Sequence, residues 1–333
     1  MKNQHKPTPT TLSIGGATYD LFLTMTEDAT SHDDAIVLKA GGKLRVGRVI
    51  ETCGGGACNT AVAFSRLGLS ASFCGVVASD QWGEKLLSTM QKEQVNTSSA
   101  TIVEHETSSF SIILSLKTGE RTILYTPGVN EHLHDVTFDM DAIGKSTAVY
   151  LNHLCETSCM IEDNIIDALV ARPDVHLTWN PGGCQIDQGY QARDKAALLK
   201  VTDLLLLNKE EALTFARCNT VQEALKALTS AGAKHVCITD GKHGVTATDG
   251  KKTYHCPVAS DVKVVDTTGA GDAFGAGVSW ALITGRSLPE ALRAGTLNGA
   301  SVVGAIGAQA GLLTDTQILD RLSSSLLAVS EVH

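Results

Sequence analysis

Apolar positions in this chain gather into short runs, and what separates the runs changes along its length. From Ala148 onward, Ala148–Leu151, Val175–Trp179, Leu204–Leu207, His235–Thr239 and Val262–Val265 read as strands alternating with stretches of helical spacing. Strands apolar on both faces need cover on both faces, so the alternation predicts a parallel sheet between two helical layers. Nearer the start, Thr11–Ile14 and Phe73–Val77 predict strands and Trp82–Gln91 a helix. Asn59–Leu67 carries Ala61, Val62, Phe64 and Leu67 at helical spacing and closes on Gly68, as helix C-caps do. Thr24–Val49, polar and turning at Ala40-Gly41-Gly42-Lys43, predicts a small hairpin. A second hairpin joins Phe110–Leu116 to Arg121–Tyr125 through Lys117-Thr118-Gly119-Glu120. Hairpins are expected only in the first 130 residues. The predicted fold is α/β: a three-layer α/β/α core with a mostly parallel central sheet, plus a small antiparallel sheet drawn from about 20–52 and 105–130. Residues 1–10 read as a disordered leader and 11–325 as one domain.

Composition narrows the function. The chain has 333 residues, 43% hydrophobic but only 5% aromatic, so the interior must be built from Ala, Val, Leu and Ile. A formal charge of −9 argues against a nucleic-acid or anionic-membrane surface. No apolar run reaches transmembrane length, and Met1–Thr11, polar with two prolines, has no signal-peptide character. The nine cysteines form no Cys-x-x-Cys pairs of zinc type; Cys53 and Cys58 flank a glycine run, and Cys155 and Cys159 fall near a helix start. They read as free thiols in a reducing compartment, which implies a soluble cytoplasmic protein.

Chemistry concentrates at Val265–Gly277, Val-Asp-Thr-Thr-Gly-Ala-Gly-Asp-Ala-Phe-Gly-Ala-Gly. A strand, a glycine turn and a helix start aim unpaired N–H groups at one point, where the helix dipole favours an anion. An acid beside such a site suits removal of a proton from a hydroxyl attacking a phosphate. A bare Gly-x-Gly is often only a turn. The whole string Asp266-Thr267-Thr268-Gly269-Ala270-Gly271-Asp272 resembles the signature of the ribokinase-like (PfkB) family of sugar and nucleoside kinases. That resemblance implies Asp272 as catalytic base and the Gly269, Ala270 and Gly271 amides as an anion hole. A carboxylate at a helix N-terminus has its charged form favoured, so Asp272 is expected to be a weak base that takes its proton late.

Further motifs follow in family order, from about Leu12 to Leu313. Gly54-Gly55-Gly56-Ala57-Cys58-Asn59-Thr60-Ala61 permits close backbone approach to a ligand, with Asn59 either meeting a polyol or capping a helix. It is similar to the family's first signature, which implies sugar contacts at Gly54, Gly55 and Asn59. Asp20, otherwise readable as a solvated loop acid, matches the family's early Asp that bonds substrate hydroxyls. Asn208 and Glu211 follow a strand; alone they are a helix-start pattern, and the resemblance implies a water-mediated Mg²⁺ site near the phosphates. Thr239-Asp240-Gly241-Lys242-His243-Gly244 resembles the family's nucleotide loop, implying Thr239, Gly241 and Gly244. Thr296, Asn298 and Gly307-Ala308-Gln309 resemble the adenine and monovalent-cation segment. This implies Asn298 against adenine, Asp266 and Thr268 in the cation loop, and K⁺ activation as the corollary.

Some positions stay open. Arg121 either reaches over the site or is a solvated strand-edge residue. His153, Glu156 and the loop Asn180-Pro181-Gly182-Gly183 stand at strand ends. The resemblance implies a kinase that phosphorylates a sugar or nucleoside with MgATP beneath a β-sheet lid, whose edges could pair two copies in a homodimer. The alternative is a non-catalytic sugar- or nucleotide-binding relative with a regulatory role. A nicotinamide enzyme fits poorly, because Ile14-Gly15-Gly16-Ala17-Thr18-Tyr19 lacks the Gly-x-Gly-x-x-Gly spacing. An acidic acceptor would want a cation, for which Arg121, Lys39 and Lys43 are the lid candidates.

Overall fold

A computed structural model of the chain describes residues 7–26, 30–32, 35–38, 40–116, 121–134, 139–154, 163–260 and 262–332. Strands β1 (Thr10–Ile14) and β2 (Thr18–Met25) precede a hairpin of β3 (Thr30–His32) and β4 (Ala35–Val37), then the long β5 (Val46–Gly54). Helix α1 (Gly56–Arg66) leads to β6 (Ser70–Cys74), β7 (Val76–Ala78), α2 (Gln81–Lys92) and β8 (Thr101–Val103). Next come β9 (Phe110–Ser115), β10 (Arg121–Thr126) and α3 (Met140–Lys145). The alternating middle holds β11 (Ala148–Leu151), α4 (Asp163–Val170), β12 (His176–Trp179), α5 (Cys184–Gln188), α6 (Arg193–Leu199) and β13 (Leu204–Asn208). It continues with α7 (Lys209–Ala216), α8 (Val221–Ser230) and β14 (His235–Thr239). The chain closes with β15 (Val245–Thr248), β16 (Thr253–Cys256), α9 (Ala270–Ile283), α10 (Leu288–Val302), α11 (Asp315–Ser324) and β17 (Ser330–Val332).

Nine strands form the central sheet in the order β17-β16-β15-β14-β13-β12-β11-β1-β6. The span from β6 to β14 is parallel throughout. Leu204–Leu207 shows why the apolar runs are unbroken. Leu204 and Leu206 join the core packed on α1, α9 and α10, while Leu205 and Leu207 join the core packed on α4, α7 and α8. Burial on both faces yields the three-layer α/β/α arrangement.

The second sheet has four strands, β10-β9-β2-β5, drawn from the two segments expected to supply a lid. It is mixed rather than antiparallel, because β2 pairs β9 in parallel while β5 and β10 flank them antiparallel. The Lys117–Glu120 turn between β9 and β10 lies outside the described residues.

Other expectations are corrected. Val262–Val265 is not a strand; Val264 and Val265 are 62% and 51% exposed, and the Val265 amide bonds the Val303 carbonyl at the end of α10. β-Branched residues favour extended backbone but supply no partner strand. Hairpins are not confined to the first 130 residues, since β14, β15, β16 and β17 extend the central sheet antiparallel. The β15–β16 turn is carried by Gly250 at φ 80° and by Asp249, whose carboxylate accepts from the Lys251 and Lys252 amides. Thr10, read as leader, opens β1 and exchanges hydrogen bonds with Thr147. Cys53, Cys58, Cys74, Cys218, Cys237 and Cys256 are free thiols, but Cys184 is disulfide-bonded to a partner outside the described residues. Spacing along a sequence does not reveal such a pairing.

Helices α9 and α10 cross closely because glycines meet: a Cβ on Gly277 would lie 2.9 Å from Gly295 Cα. A Cβ on Gly295 would lie 2.5 Å from Val278 Cγ2 and 2.8 Å from the Phe274 carbonyl oxygen. Gly295→Val is expected to lower stability by about 1–3 kcal/mol through overpacking, read by urea denaturation. Gly144→Ala, whose methyl would meet only Arg172 Nη1 at 3.9 Å, should be neutral or stabilising. Equal losses in both would reject close helix contact as the cause.

Candidate active site

The parallel strands end together, and residues that can bind small molecules collect at their carboxyl ends. Gly15-Gly16 follows β1, Asn152-His153 follows β11, Asn180 follows β12, Asn208 ends β13 and Thr239 ends β14. A cavity of about 320 Å³ opens there, lined by Gly16, Asn152, His153, Asn180, Glu211 and Asp272, with Thr18, Gly55, Gly56, Tyr125 and Asn130 closing its other side. A smaller cavity of about 140 Å³ is lined by Asn180, Asn208, Glu211, Thr239, Gly271 and Phe274. The two share Asn180 and Glu211, so Asp272 faces one chamber and its neighbour Gly271 faces the next.

Asp272 stands in the first turn of α9. Gly269 caps that helix at φ 74°, where a Cβ would lie 2.6 Å from Ala308 Cα; only glycine suits both constraints. The Ala270 amide bonds the Thr267 carbonyl at 3.2 Å, which removes it from the expected anion hole. The Gly271 and Asp272 amides, as first-turn groups, have no intrahelical acceptor. Asp272 Oδ2 accepts from Asn59 Nδ2 at 2.8 Å, and Gln309 Nε2 donates to Asn59 Oδ1 at 3.1 Å. Burial pushes the Asp272 carboxyl up to about 6, against the opposing hydrogen bond from Asn59. This is opposite to the direction expected of a carboxylate at a helix N-terminus, because withdrawal from water outweighs the helix terminus. Asn59 is itself buried within α1 and does not line either cavity.

Asp20 lies in β2 rather than in a loop, and is buried. Burial raises its carboxyl to about 6, the Ser111 hydroxyl opposes this, and nearby Asp266 adds to it. Gly54 packs directly behind it, and a Cβ there would meet Asp20 Oδ2 and force the carboxylate to shift. Gly55 and Gly56 reach the cavity wall; Gly54 and Asp20 do not.

Asp266 is only 6% exposed. Burial opposes its ionisation, yet the Gly307 and Thr268 amides, the Thr268 hydroxyl and Arg121 together hold the carboxyl below its ordinary range. Those donors sit at 3.0, 3.1, 2.8 and 2.5 Å. Asp266 and Thr268 therefore do not fit the expected monovalent-cation loop: the carboxylate faces four donors, one a guanidinium, and Thr268 turns its hydroxyl proton toward it. Arg121 does stand on the edge strand and is 37% exposed, but its guanidinium turns to Asp266 and it does not line the acceptor cavity.

On the other side, Asn208 and Glu211 form a capping box, with Glu211 N to Asn208 Oδ1 at 2.9 Å and Asn208 N to Glu211 Oε2 at 2.8 Å. Glu211 also faces both cavities, and burial raises its carboxyl against the Asn208 amide. With Oε2 bonded to the Asn208 amide, one oxygen remains toward the chambers, which fits contact through water with a Mg²⁺ carried by a nucleotide. Thr239 pairs with Asn208 across β14 and β13. Gly241 and Gly244, at φ 49° and 86°, shape the turn that follows, and a Cβ on Gly241 would meet only open space.

Asn298 is placed differently from the expectation of an adenine contact. It is fully buried, donating to the Ala273 carbonyl at 2.8 Å and accepting from the Leu313 amide at 3.0 Å. Its amide joins α10 to α9. Glu156 and Lys39 lie outside the described residues. His153 lines the larger cavity, wrapped by Gly182 and Gly183.

Asn130 and Asn152 went unnoticed in the sequence. Asn130 Nδ2 donates to the Ala17 carbonyl at 3.3 Å, but its buried Oδ1 has no partner among the described residues, and the residue lines the cavity. Its signal was a Pro-Gly turn after the second hairpin. Asn152 ends a parallel strand, the same rule that marked Asn180.

A profile of the pfkB family carbohydrate kinases matches residues 13–315. A ribokinase of Bacillus subtilis is 30% identical over 276 residues, covering 81% of this chain and 87% of its own. An uncharacterized sugar kinase of Archaeoglobus fulgidus is 29% identical over 251 residues, covering 75% and 98%. The structure of an Arabidopsis thaliana ribokinase complexed with ribose and ATP superimposes with a TM-score of 0.79 at 21% identity, over 96% of this chain and all of that one. That likeness shows the fold. No helix among the described residues is long and apolar enough to cross a membrane.

The raised carboxyl has a consequence for stability. Folded Asp272 titrates near 6 and the unfolded residue near 3.9, so between these values the folded protein binds the extra proton. Its contribution to stability therefore falls as pH rises through that window and is least favourable above it. Asp272→Asn should melt higher than the parent at pH 8, with the gap closing below about pH 4. Equal melting temperatures at pH 8 would contradict the burial of this charge.

Proposed function

The chain belongs to the pfkB family of carbohydrate kinases, and on that premise we propose that it transfers the γ-phosphoryl group of ATP to a hydroxyl of a sugar or nucleoside. The observation that carries this reading is the pair of adjoining chambers with Asp272 on one and Gly271 on the other. The acceptor occupies the larger chamber. The nucleotide phosphates approach from the smaller, along Asn208, Thr239, Gly241 and Gly244. Mg²⁺ arrives with ATP and supplies charge neutralisation, with Glu211 reaching it through water.

Asp272 acts as the base. Asn59 holds Oδ2, which leaves Oδ1 for the attacking hydroxyl. A carboxyl near 6 is a stronger base than an ordinary aspartate, yet still far too weak to ionise an alcohol beforehand. The proton leaves once the bond to phosphorus is forming, and positioning carries most of the rate. Charge on the transferring group is met by the amides of the Gly269–Gly271 turn, chiefly Gly271 with Asp272, since Ala270 is engaged. Asn130 Oδ1, lacking a donor, accepts from an acceptor hydroxyl, and Asp20 joins it as the four-stranded sheet closes like a lid and excludes water. Strand β10 at the edge of that sheet leaves Ile123 and Leu124 each 52% exposed, a surface a second copy of the chain would cover in a dimer.

A panel of sugars and nucleosides with ATP tests the activity; no turnover with any acceptor would reject it. Asp272→Asn should lower kcat by about 10²–10⁴ while ATP binding is nearly kept. In the parent enzyme kcat/KM should fall as pH drops through about 6, with Asp272 as the group lost. Asn130→Leu should raise KM for the acceptor about tenfold or more, by losing one hydrogen bond in a dry site, with KM for ATP unchanged. An unaltered acceptor KM would remove Asn130 from recognition.

A further inference from the structure

Asp266 begins the segment that leads into the Gly269–Asp272 turn, and its positive partner comes from the other sheet. Arg121 opens β10; its Nη1 lies 2.5 Å from Asp266 Oδ1, and its Nη2 donates to Thr267 Oγ1 at 3.1 Å. The opposite oxygen, Oδ2, accepts from the Gly307 amide at 3.0 Å. Gly307 stands two residues before Gln309, whose amide fixes Asn59, which in turn fixes Asp272. One guanidinium thus governs both backbone segments that frame the base, 266–271 and 307–309. The pair is not an ordinary surface bridge, since Asp266 is 6% exposed and Arg121 37%.

We infer that Arg121 is a positioning residue that acts as a built-in cation at Asp266, standing where a dissolved monovalent cation was expected and tying the order of the Asp272 turn to the seating of β10. The inference rests on the reading of Asp272 as the reacting centre. Its physical content is simple. The guanidinium adds a charge-assisted bond to the neutral donors already on Asp266, and its second nitrogen reaches Thr267 from a place fixed by β10. Because the charge is carried on β10, the turn is fully ordered only while the four-stranded sheet is in place.

The test compares KCl, NaCl and choline chloride at equal ionic strength, reading kcat and, without nucleotide or acceptor, the melting temperature. The parent protein should give the same melting temperature in all three and rates within about twofold. Arg121→Ala should lose tenfold or more in kcat with the Kd for ATP little changed, and K⁺ should then raise both its rate and its melting temperature above those in choline. Arg121→Lys, keeping the charge without the fork, should fall between and stay indifferent to K⁺. A parent protein that K⁺ activates tenfold or stabilises over choline overturns the inference. So does an Arg121→Ala variant at full turnover, or one impaired but indifferent to K⁺. The melting comparison needs no acceptor, so it still decides if kinase activity is never found. Should Arg121→Ala fail to fold, the parent and Arg121→Lys decide.

Discussion

The hydrogen bond from Asn59 to Asp272 is the constraint on which the rest of the site depends. It joins residues 213 apart, on α1 and α9, and is made where removal from water already works against the carboxylate. A neutral donor holds the group without quenching it. A cationic donor in the same place would have pulled the carboxyl down by one to three units and left no useful base. Asp266, six residues earlier, differs: against its burial, the Gly307 and Thr268 amides, the Thr268 hydroxyl and Arg121 hold its carboxyl below the ordinary range. The carboxyls of one short segment thus move in opposite directions, Asp266 with four donors set against its burial and Asp272 with one from Asn59.

The architecture around this bond follows from close approach. Helix α9 is buried along nearly its whole length, and its small residues bring it against α10 at Gly277 and Gly295 and under Tyr150 at Gly275. That seating leaves the α9 N-terminus at the carboxyl ends of β11 to β14, where the two chambers meet. The glycines at the end of β5 work the same way on the other side, letting Gly54 back onto Asp20 and Gly55 onto Ala17. Neither cluster is flexible punctuation.

Much of this was legible in the sequence because it was local. Leu204–Leu207 reports double-sided burial by its unbroken apolar run, and Asn208 with Glu211 reports a helix start by spacing. The motif resemblance singled out Asp272 and Asn59, though not the hydrogen bond that joins them. Errors arose where outcome depends on distant partners. Val262–Val265 has strand propensity, but no strand among the described residues pairs with it and the Val265 amide turns to the Val303 carbonyl at the end of α10. Asn298 has polar capacity, but α9 and Leu313 took both ends of it. The Arg121–Asp266 pair spans 145 residues, and nothing in either neighbourhood announces the other.

On the proposed reading of Asp272 as the base, late proton transfer and the position of Arg121 bear on each other. A base too weak to ionise its substrate gains rate by alignment, so any looseness in the Asp272 turn acts directly on the barrier. Water is a smaller hydroxyl than any sugar and cannot be refused by size. It can be refused by geometry, if the turn is aligned only when the four-stranded sheet is seated over a bound acceptor. An ion pair between that sheet and the segment leading into the turn provides such a condition, since its strength depends on the desolvation that closure brings. Burial raises the Asp272 carboxyl at the chamber, while the Arg121 contact lies outside it at the buried Asp266 carboxylate, so the two respond to separate surroundings and are joined through the segment 266–272.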